Sequence, residues 1–157
     1  MTRPVQLRFE SHLNAPARDV WNVAMTLAGI NAESMPVFRM THPAHISAMT
    51  DAPFEAGKKL FHSRVLALGF IPFDWTDLTL TQYADGQFFV EQSPMGSMHK
   101  WQHRRSVIAD RAGCTIIDEL DFTPKLPAAL ARPFIALAFW NRHRNLRRRW
   151  GQRAQNA

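Results

Sequence analysis

Hydrophobic and polar residues alternate along the start of the chain and along most of its middle. Between Val5 and Asn14, every second residue is apolar or small and its neighbours are polar. A period of two over about ten residues predicts a β-strand with one buried face and one wet face. The same alternation, broken by turn residues, predicts further strands at Val37–Thr41, Lys58–Leu68, Trp75–Tyr83, Gln87–Gln92, His99–Ala109 and Cys114–Thr123.

Helical spacing replaces this alternation in two parts of the chain. After Pro16, apolar residues recur at helical spacing, and Gly29 is expected to end this helix. A short helical turn is predicted at Ala32–Met35. A long C-terminal helix is predicted from near Arg132, and one of its faces carries Ile135, Phe139, Leu146 and Trp150.

The order of these elements predicts an α+β fold. One strand is followed by one or two short helices, about six strands at hairpin spacing, and one long helix. Consecutive hairpins form an antiparallel sheet, and a curved sheet of six or seven strands can wrap around a long apolar helix. A gap between sheet and helix would then become a cavity. The length of 157 residues fits a single domain spanning 1–157.

Charge is concentrated at the C-terminal helix. From Leu126 onward the chain has seven arginines and no acid, whereas the first 125 residues have a formal charge of −1. The basic helix end, 142–153, is interpreted as a solvated terminus whose cations oppose the helix dipole. The alternative is that Arg142–Arg149 contact nucleic acid or an anionic membrane, which only the clustering of arginines supports.

Several classes of protein are disfavoured by composition. Cys114 is the single cysteine, so no intrachain disulfide is expected. The N-terminal segment lacks the apolar core of a signal peptide. The longest nearly apolar run, Pro133–Trp140, is far shorter than the roughly 20 residues that cross a bilayer. A cytoplasmic location is the default expectation.

The candidate chemistry lies on two predicted neighbouring strands. Trp101, His103 and Arg105 share one face of a strand, and Asp118 would lie across from them on the next strand. An aspartate that faces a core needs a partner, which His103 or Arg105 can provide. The group is interpreted as a structural pair that sets strand register, as a ligand contact, or as a His–Asp general base.

No metal or cofactor site is predicted. His99 and His103 are four residues apart, which on a strand separates them by roughly 13 Å and prevents them from sharing a zinc ion. His42 and His45 flank a proline-containing turn without a third ligand. No glycine-rich phosphate loop is present, and no Ser-His-Asp or Cys-His arrangement stands out.

Four stretches resemble a known superfamily. They are LNAPARDVWNVA at 13–24, HKWQHRR at 99–105, CTIIDELDF at 114–122 and FWNRHRNL at 139–146. Their order and spacing are similar to the helix-grip fold of the START/Bet v 1-like superfamily, in particular its polyketide cyclase/dehydrase and lipid-transport branch. The resemblance implies a cavity between sheet and helix that binds a hydrophobic molecule such as a lipid, quinone or polyketide.

The resemblance also implies a less common activity, cyclisation or dehydration, for which His103 and Asp118 are the candidate catalytic residues. Alternation along the strands and the inward stripe of the helix add apolar wall residues, and Arg142 could meet Asp118 or a ligand carboxylate. The predicted ligand-binding residues are Trp75, Phe88, Val90, Trp101, His103, Arg105, Asp118, Phe139 and Arg142.

Overall fold

The computed structural model describes residues 3–153, which form seven strands and three helices. The elements in chain order are β1 (Val5–Leu13), α1 (Ala17–Ala24), α2 (Leu27–Ser34), β2 (Phe38–Met40), β3 (Lys59–Ala67), β4 (Ile71–Ala84), β5 (Phe88–Gln92), β6 (Met98–Asp110), β7 (Gly113–Pro124) and α3 (Ala128–Trp150). The predicted order of elements is confirmed.

All seven strands belong to one curled antiparallel sheet. Their order across the sheet is β1-β7-β6-β5-β4-β3-β2. The first strand therefore forms one edge of the sheet and pairs with the last strand. The α3 helix packs in the concavity of the sheet, and the two short helices follow β1. The predicted helix-grip architecture is therefore confirmed.

The first helical region differs from the prediction. It is two helices, and the break is at Thr26, whose hydroxyl accepts a hydrogen bond from Gly29 N at 3.0 Å and caps α2. Gly29 lies inside α2 rather than at a helix end. A Cβ at Gly29 would come within 2.0 Å of the Val23 carbonyl oxygen, so the glycine allows the two helices to approach closely.

The long helix also begins earlier than predicted. It starts at Ala128, and its first turn is closed by Leu130 N and Ala131 N, which both donate to Pro127 O. Pro133 lies inside the helix. Pro127 and Pro133 lie near the start of the helix and obscure the helical spacing of apolar residues, which becomes regular only beyond Arg132.

Two hydrophobic clusters form the core. One joins α1 and α2 to the sheet and contains Trp21, Leu27, Phe89, Ile116 and Leu146. The other lies under the first half of α3 and contains Trp101, Leu120, Phe122, Ile135 and Phe139. None of the described helices is long and apolar enough to cross a bilayer. The candidate site lies beside the second cluster.

Candidate ligand-binding site

A cavity of about 300 Å³ lies between the sheet and the first half of α3. Its wall is mainly apolar, and α3 supplies Leu130, Ala131, Phe134, Ile135, Ala138 and Phe139. Exposed apolar side chains lie at one end of it, where Phe73 of β4 packs against Phe134 with ring centroids 5.0 Å apart. This volume is at the lower limit of the range for small-molecule pockets, which are usually apolar with a few polar groups.

The opposite end of the cavity is buried and polar. Glu91, His103 and Arg142 all line it and are each at most 9% exposed. Trp101 Nε1 donates to Glu91 Oε1 at 3.0 Å. Phe139 lies between the His103 and Arg142 side chains, since its ring is 5.1 Å from the His103 ring and 5.1 Å from the Arg142 guanidinium.

Asp118 organises a layer of buried polar groups behind this wall. Its Oδ1 accepts from His103 Nε2 at 2.6 Å and from Arg105 Nε at 2.8 Å. Its Oδ2 accepts from Arg105 Nη2 at 2.8 Å and from His143 Nε2 at 2.8 Å. Four bonds use the full accepting capacity of a carboxylate, so Asp118 has no lone pair left for a ligand.

Glu33 of α2 binds two arginines. Arg142 lines the cavity, and Arg105 lies behind the cavity wall. Arg105 Nη1 donates to both carboxylate oxygens of Glu33, at 3.0 and 2.9 Å. Arg142 donates to Oε2 through Nε at 3.2 Å and Nη2 at 2.9 Å. Two guanidinium groups, those of Arg105 and Arg142, therefore bind two carboxylates, those of Glu33 and Asp118, and each of these four ions has a partner of opposite charge.

His143 extends the network to the first strand. Its Nδ1 lies 2.8 Å from Ser11 Oγ, and Arg147 Nη1 donates to the same hydroxyl at 3.0 Å. Nε2 of His143 donates to Asp118, so both ring nitrogens have partners within the network. The chain of bonds links β1, β6, β7, α2 and α3.

The two buried acids near the cavity have opposite pKa shifts. Burial would raise the pKa of Asp118, but the charges of Arg105 and His103 and their hydrogen bonds hold that pKa well below its ordinary 3.8. Burial raises the pKa of Glu91 above its ordinary 4.5, and nearby His103, the Trp101 indole and Arg142 only partly oppose this. Asp118 is therefore shifted towards its ionised form, whereas burial shifts Glu91 towards its neutral form.

The structure brings together six of the nine predicted site residues. Trp101, His103, Phe139 and Arg142 line the cavity. Arg105 and Asp118 lie directly behind it and bond to each other, because Arg105 is paired with Asp118 in the β6–β7 register. His103 is two residues out of that register and reaches the carboxylate diagonally.

Trp75, Phe88 and Val90 lie away from the cavity. Trp75 is 40% exposed and stacks on His62. On β5, Glu91 lines the cavity, so Phe88 and Val90 lie on the opposite face of that strand. Phe88 packs under the Arg104 guanidinium instead. On β5 the sequence pattern predicts the wrong face to point into the cavity. Three consecutive residues, Phe88 to Val90, are apolar, so the pattern does not distinguish the two faces of the strand.

Four important side chains were absent from the sequence-based candidates. Glu91 could have been found from the phase of β5, and His143 from its position one helical turn after Phe139. Glu33 and Thr76 have no comparable signal. Arg142, which was expected to meet Asp118 or a ligand, binds Glu33 and lies apart from the solvated helix end.

The basic helix end has fewer arginines free to contact nucleic acid or a membrane than its composition suggests. Arg142 is buried and Arg147 bonds to Ser11, while Arg144, Arg148 and Arg149 remain exposed. Among residues 3–153, no group of three or more His, Cys, Asp or Glu side chains could hold a metal ion.

Comparison with protein families assigns almost the whole chain. Residues 11–150 match the model of a domain of unknown function, DUF8410. The chain belongs to the DUF8410 family. A search of the curated proteins finds no match for this DUF8410 protein.

Solved structures share the fold of this DUF8410 protein at low sequence identity. Protein CV1439 from Chromobacterium violaceum is 13% identical with a TM-score of 0.70, over 95% of this chain and 99% of that one. A START superfamily protein from Mycobacterium smegmatis is 12% identical with a TM-score of 0.64, over 94% and 96%. An AHSA1-like protein from Aeromonas hydrophila is 13% identical with a TM-score of 0.63, over 98% and 99%. The fold is therefore START/Bet v 1-like.

Proposed function

We propose that this protein binds, and in doing so can transport, a hydrophobic small molecule in the cavity between the sheet and α3. The observation that carries the proposal is a cavity of about 300 Å³ whose wall is mainly apolar and whose buried end carries Glu91, His103 and Arg142. START/Bet v 1-like proteins commonly bind hydrophobic ligands, and the mainly apolar wall of this cavity is consistent with such a ligand.

The exposed apolar residues at the other end of the cavity support the same proposal. Phe73 is 51% exposed, Leu126 58% and Leu130 66%. A ligand that covers these side chains would gain about 25 cal/mol for each Å² of apolar surface removed from water. The cavity therefore offers apolar contact along its length and hydrogen bonding at its end.

Blocking the cavity provides the direct test. Ala131 lines the cavity, whereas Ala129, two residues earlier on α3, is exposed. We expect Ala131→Trp to weaken binding of a lipophilic fluorescent probe at least tenfold, because the indole occupies ligand space. Ala129→Trp is the matched control and is expected to bind the probe like the unmodified protein.

Native mass spectrometry of the purified protein supplies a second measurement. A co-purifying lipophilic molecule is expected in the unmodified protein and in Ala129→Trp, and its loss is expected in Ala131→Trp. A folded protein that carries only solvent and binds no lipophilic probe at micromolar concentration would contradict the proposed function.

Catalysis in the same cavity is a second candidate function, favoured by the contact between His103 and Asp118. Nε2 of His103 is engaged by the Asp118 carboxylate at 2.6 Å, so the role of a base would fall to Nδ1. A cyclase or dehydratase would use His103 as its base, with Asp118 positioning it from behind the wall. This activity predicts that His103→Ala removes turnover of a bound polyketide-type substrate while the fold persists; loss of the fold instead would favour a structural role.

A further inference from the structure

The charge of Arg142 on the cavity wall is already compensated. Two of its guanidinium nitrogens bind Glu33, which also binds Arg105, and Arg105 binds Asp118. An anionic ligand would have to displace Glu33 from Arg142 or introduce a buried charge without a partner. Either event carries a desolvation cost of several kcal/mol. A carboxylate or phosphate head group is therefore a poor match for this end of the cavity.

Glu91 is the acid that faces the same end of the cavity without a salt bridge. Among the described residues it forms no ion pair, and its Oε1 accepts from the Trp101 indole. A neutral carboxyl group has one O–H donor in addition to its accepting oxygens. The buried, mainly apolar surroundings favour this neutral form.

An ammonium head group would find no free counter-charge at this end of the cavity. The Glu33 carboxylate is already paired with Arg105 and Arg142, and the Asp118 carboxylate is paired with Arg105. A cation placed against Glu91 would lose its own hydration without gaining an ion pair to a free carboxylate. Neutral hydrogen bonding avoids this cost.

Thr76 adds a neutral polar group to another part of the cavity wall. Its side chain lines the cavity and is 3% exposed, and its Oγ1 is the buried side-chain polar atom that lacks a hydrogen bond within residues 3–153. It lies on β4 four residues from Leu80, which is paired with Glu91, so the two groups are roughly 13 Å apart along the sheet. Both open polar positions of the wall thus suit an uncharged molecule with oxygen atoms.

We infer that the ligand is an uncharged, elongated apolar molecule with a hydrogen-bond-accepting oxygen, such as a carbonyl, that binds the Glu91 carboxyl group at the buried end of the cavity. This inference rests on the proposed function and specifies its ligand class. Compounds of equal length with a carboxylate or an ammonium group at that position are rejected.

Four compounds with the same eleven-carbon skeleton test the inference: methyl nonyl ketone, undecanoic acid, undecylamine and undecane. Isothermal titration calorimetry at neutral pH is expected to show the ketone binding about three- to tenfold more tightly than undecane, the range of one neutral hydrogen bond. The acid and the amine are expected to bind more weakly than the ketone. Tighter binding of either charged compound, or equal binding of all four, would overturn the inference while leaving the proposed function standing.

Two variants of Glu91 attribute the preference to that residue. Glu91→Gln keeps an N–H donor and is expected to retain the preference for the ketone over undecane. Glu91→Leu removes the donor and is expected to bind the two compounds equally, with circular dichroism confirming the fold. A ketone preference that persists in folded Glu91→Leu, or that disappears in Glu91→Gln, would contradict the assignment. If none of the four compounds binds but the lipophilic probe does, the inference fails and the proposed function stands; if the probe also fails to bind and the protein carries only solvent, the proposed function itself fails.

Discussion

At the scale of single residues, Asp118 connects β6 and α3 within the buried polar network. It is fully buried and accepts four hydrogen bonds from His103, Arg105 and His143. Such a carboxylate cannot reach a ligand in the cavity. Its effect on the site is to orient His103, which lies on the cavity wall.

We expect Asp118→Asn to destabilise the protein by about 3–5 kcal/mol, because the substitution leaves the buried Arg105 charge only partly compensated. Urea denaturation measures the change. Asp121→Asn on the same strand is the control, since Asp121 forms an exposed pair with Lys100 and is expected to contribute at most about 1 kcal/mol. Equal effects of the two substitutions would contradict the role given to Asp118.

The low pKa of Asp118 also predicts the response of the protein to acid. Its native pKa lies well below the ordinary 3.8, so its contribution to the free energy of unfolding is present above pH 3.8 and is lost as the pH falls towards the native pKa. Thermal unfolding between neutral and acidic pH is expected to show this loss in the unmodified protein. The loss is expected to be smaller in Asp118→Asn, which has no carboxyl group to titrate there.

The Thr76 side chain lowers the stability of the ligand-free protein. A buried hydroxyl without a partner is unfavourable by about 1–3 kcal/mol relative to a satisfied one, and valine has nearly the same shape. We expect Thr76→Val to raise the free energy of unfolding by about 1 kcal/mol, measured in urea. Thr79→Val on the same strand is the comparison, because the Thr79 hydroxyl donates to Asp77 O and its loss is expected to be unfavourable.

At the scale of elements, the end of α2 is attached to α3 by amide side chains. Asn145 Nδ2 donates to Glu33 O and Met35 O, both at 2.8 Å, and Asn141 Nδ2 donates to Ser34 O and Met35 O. These bonds satisfy carbonyls that a helix end leaves free. They also keep Glu33 in place between Arg105 and Arg142.

We expect Asn145→Ala to cost about 1–2 kcal/mol and to increase amide hydrogen exchange in α2 more than in β6 or β7, because Glu33 O loses its side-chain donor and Met35 O keeps only Asn141. Arg144→Ala, at the neighbouring exposed position, is expected to change neither quantity. Uniform exchange across all elements in Asn145→Ala would show that α2 is not held in this way.

The register of the strands explains which element-level predictions succeeded. The β6–β7 hairpin is joined by a short turn, so counting from that turn placed His103, Arg105 and Asp118 together correctly. On β5 the apolar run at Phe88–Val90 obscured which residues face inward. A shift of one residue exchanges the two faces, and this shift removed Phe88 and Val90 from the cavity wall.

At the scale of the whole molecule, the placement of charge is as informative as its sum. The formal charge is +6, and the cations are concentrated in α3. Arg142 is used inside the protein to balance Glu33, and only Arg144, Arg148 and Arg149 of the cluster are exposed. The α3 helix also exposes two large apolar side chains, those of Leu137 and Trp140. Its apolar part is therefore not enclosed by the sheet on all sides.

Local patterns in the sequence determined the order of the elements, the antiparallel sheet, the gripped helix and the pairing of β6 with β7. These features depend on periodicity and turn chemistry, which act over a few residues. Tertiary structure alone decided how Glu33 compensates the buried arginines near the polar end of the cavity. Glu33 meets Arg105 across 72 residues of sequence and Arg142 across 109. Such contacts form only when the sheet curls around α3, because no local pattern records which distant side chain will neutralise a buried charge.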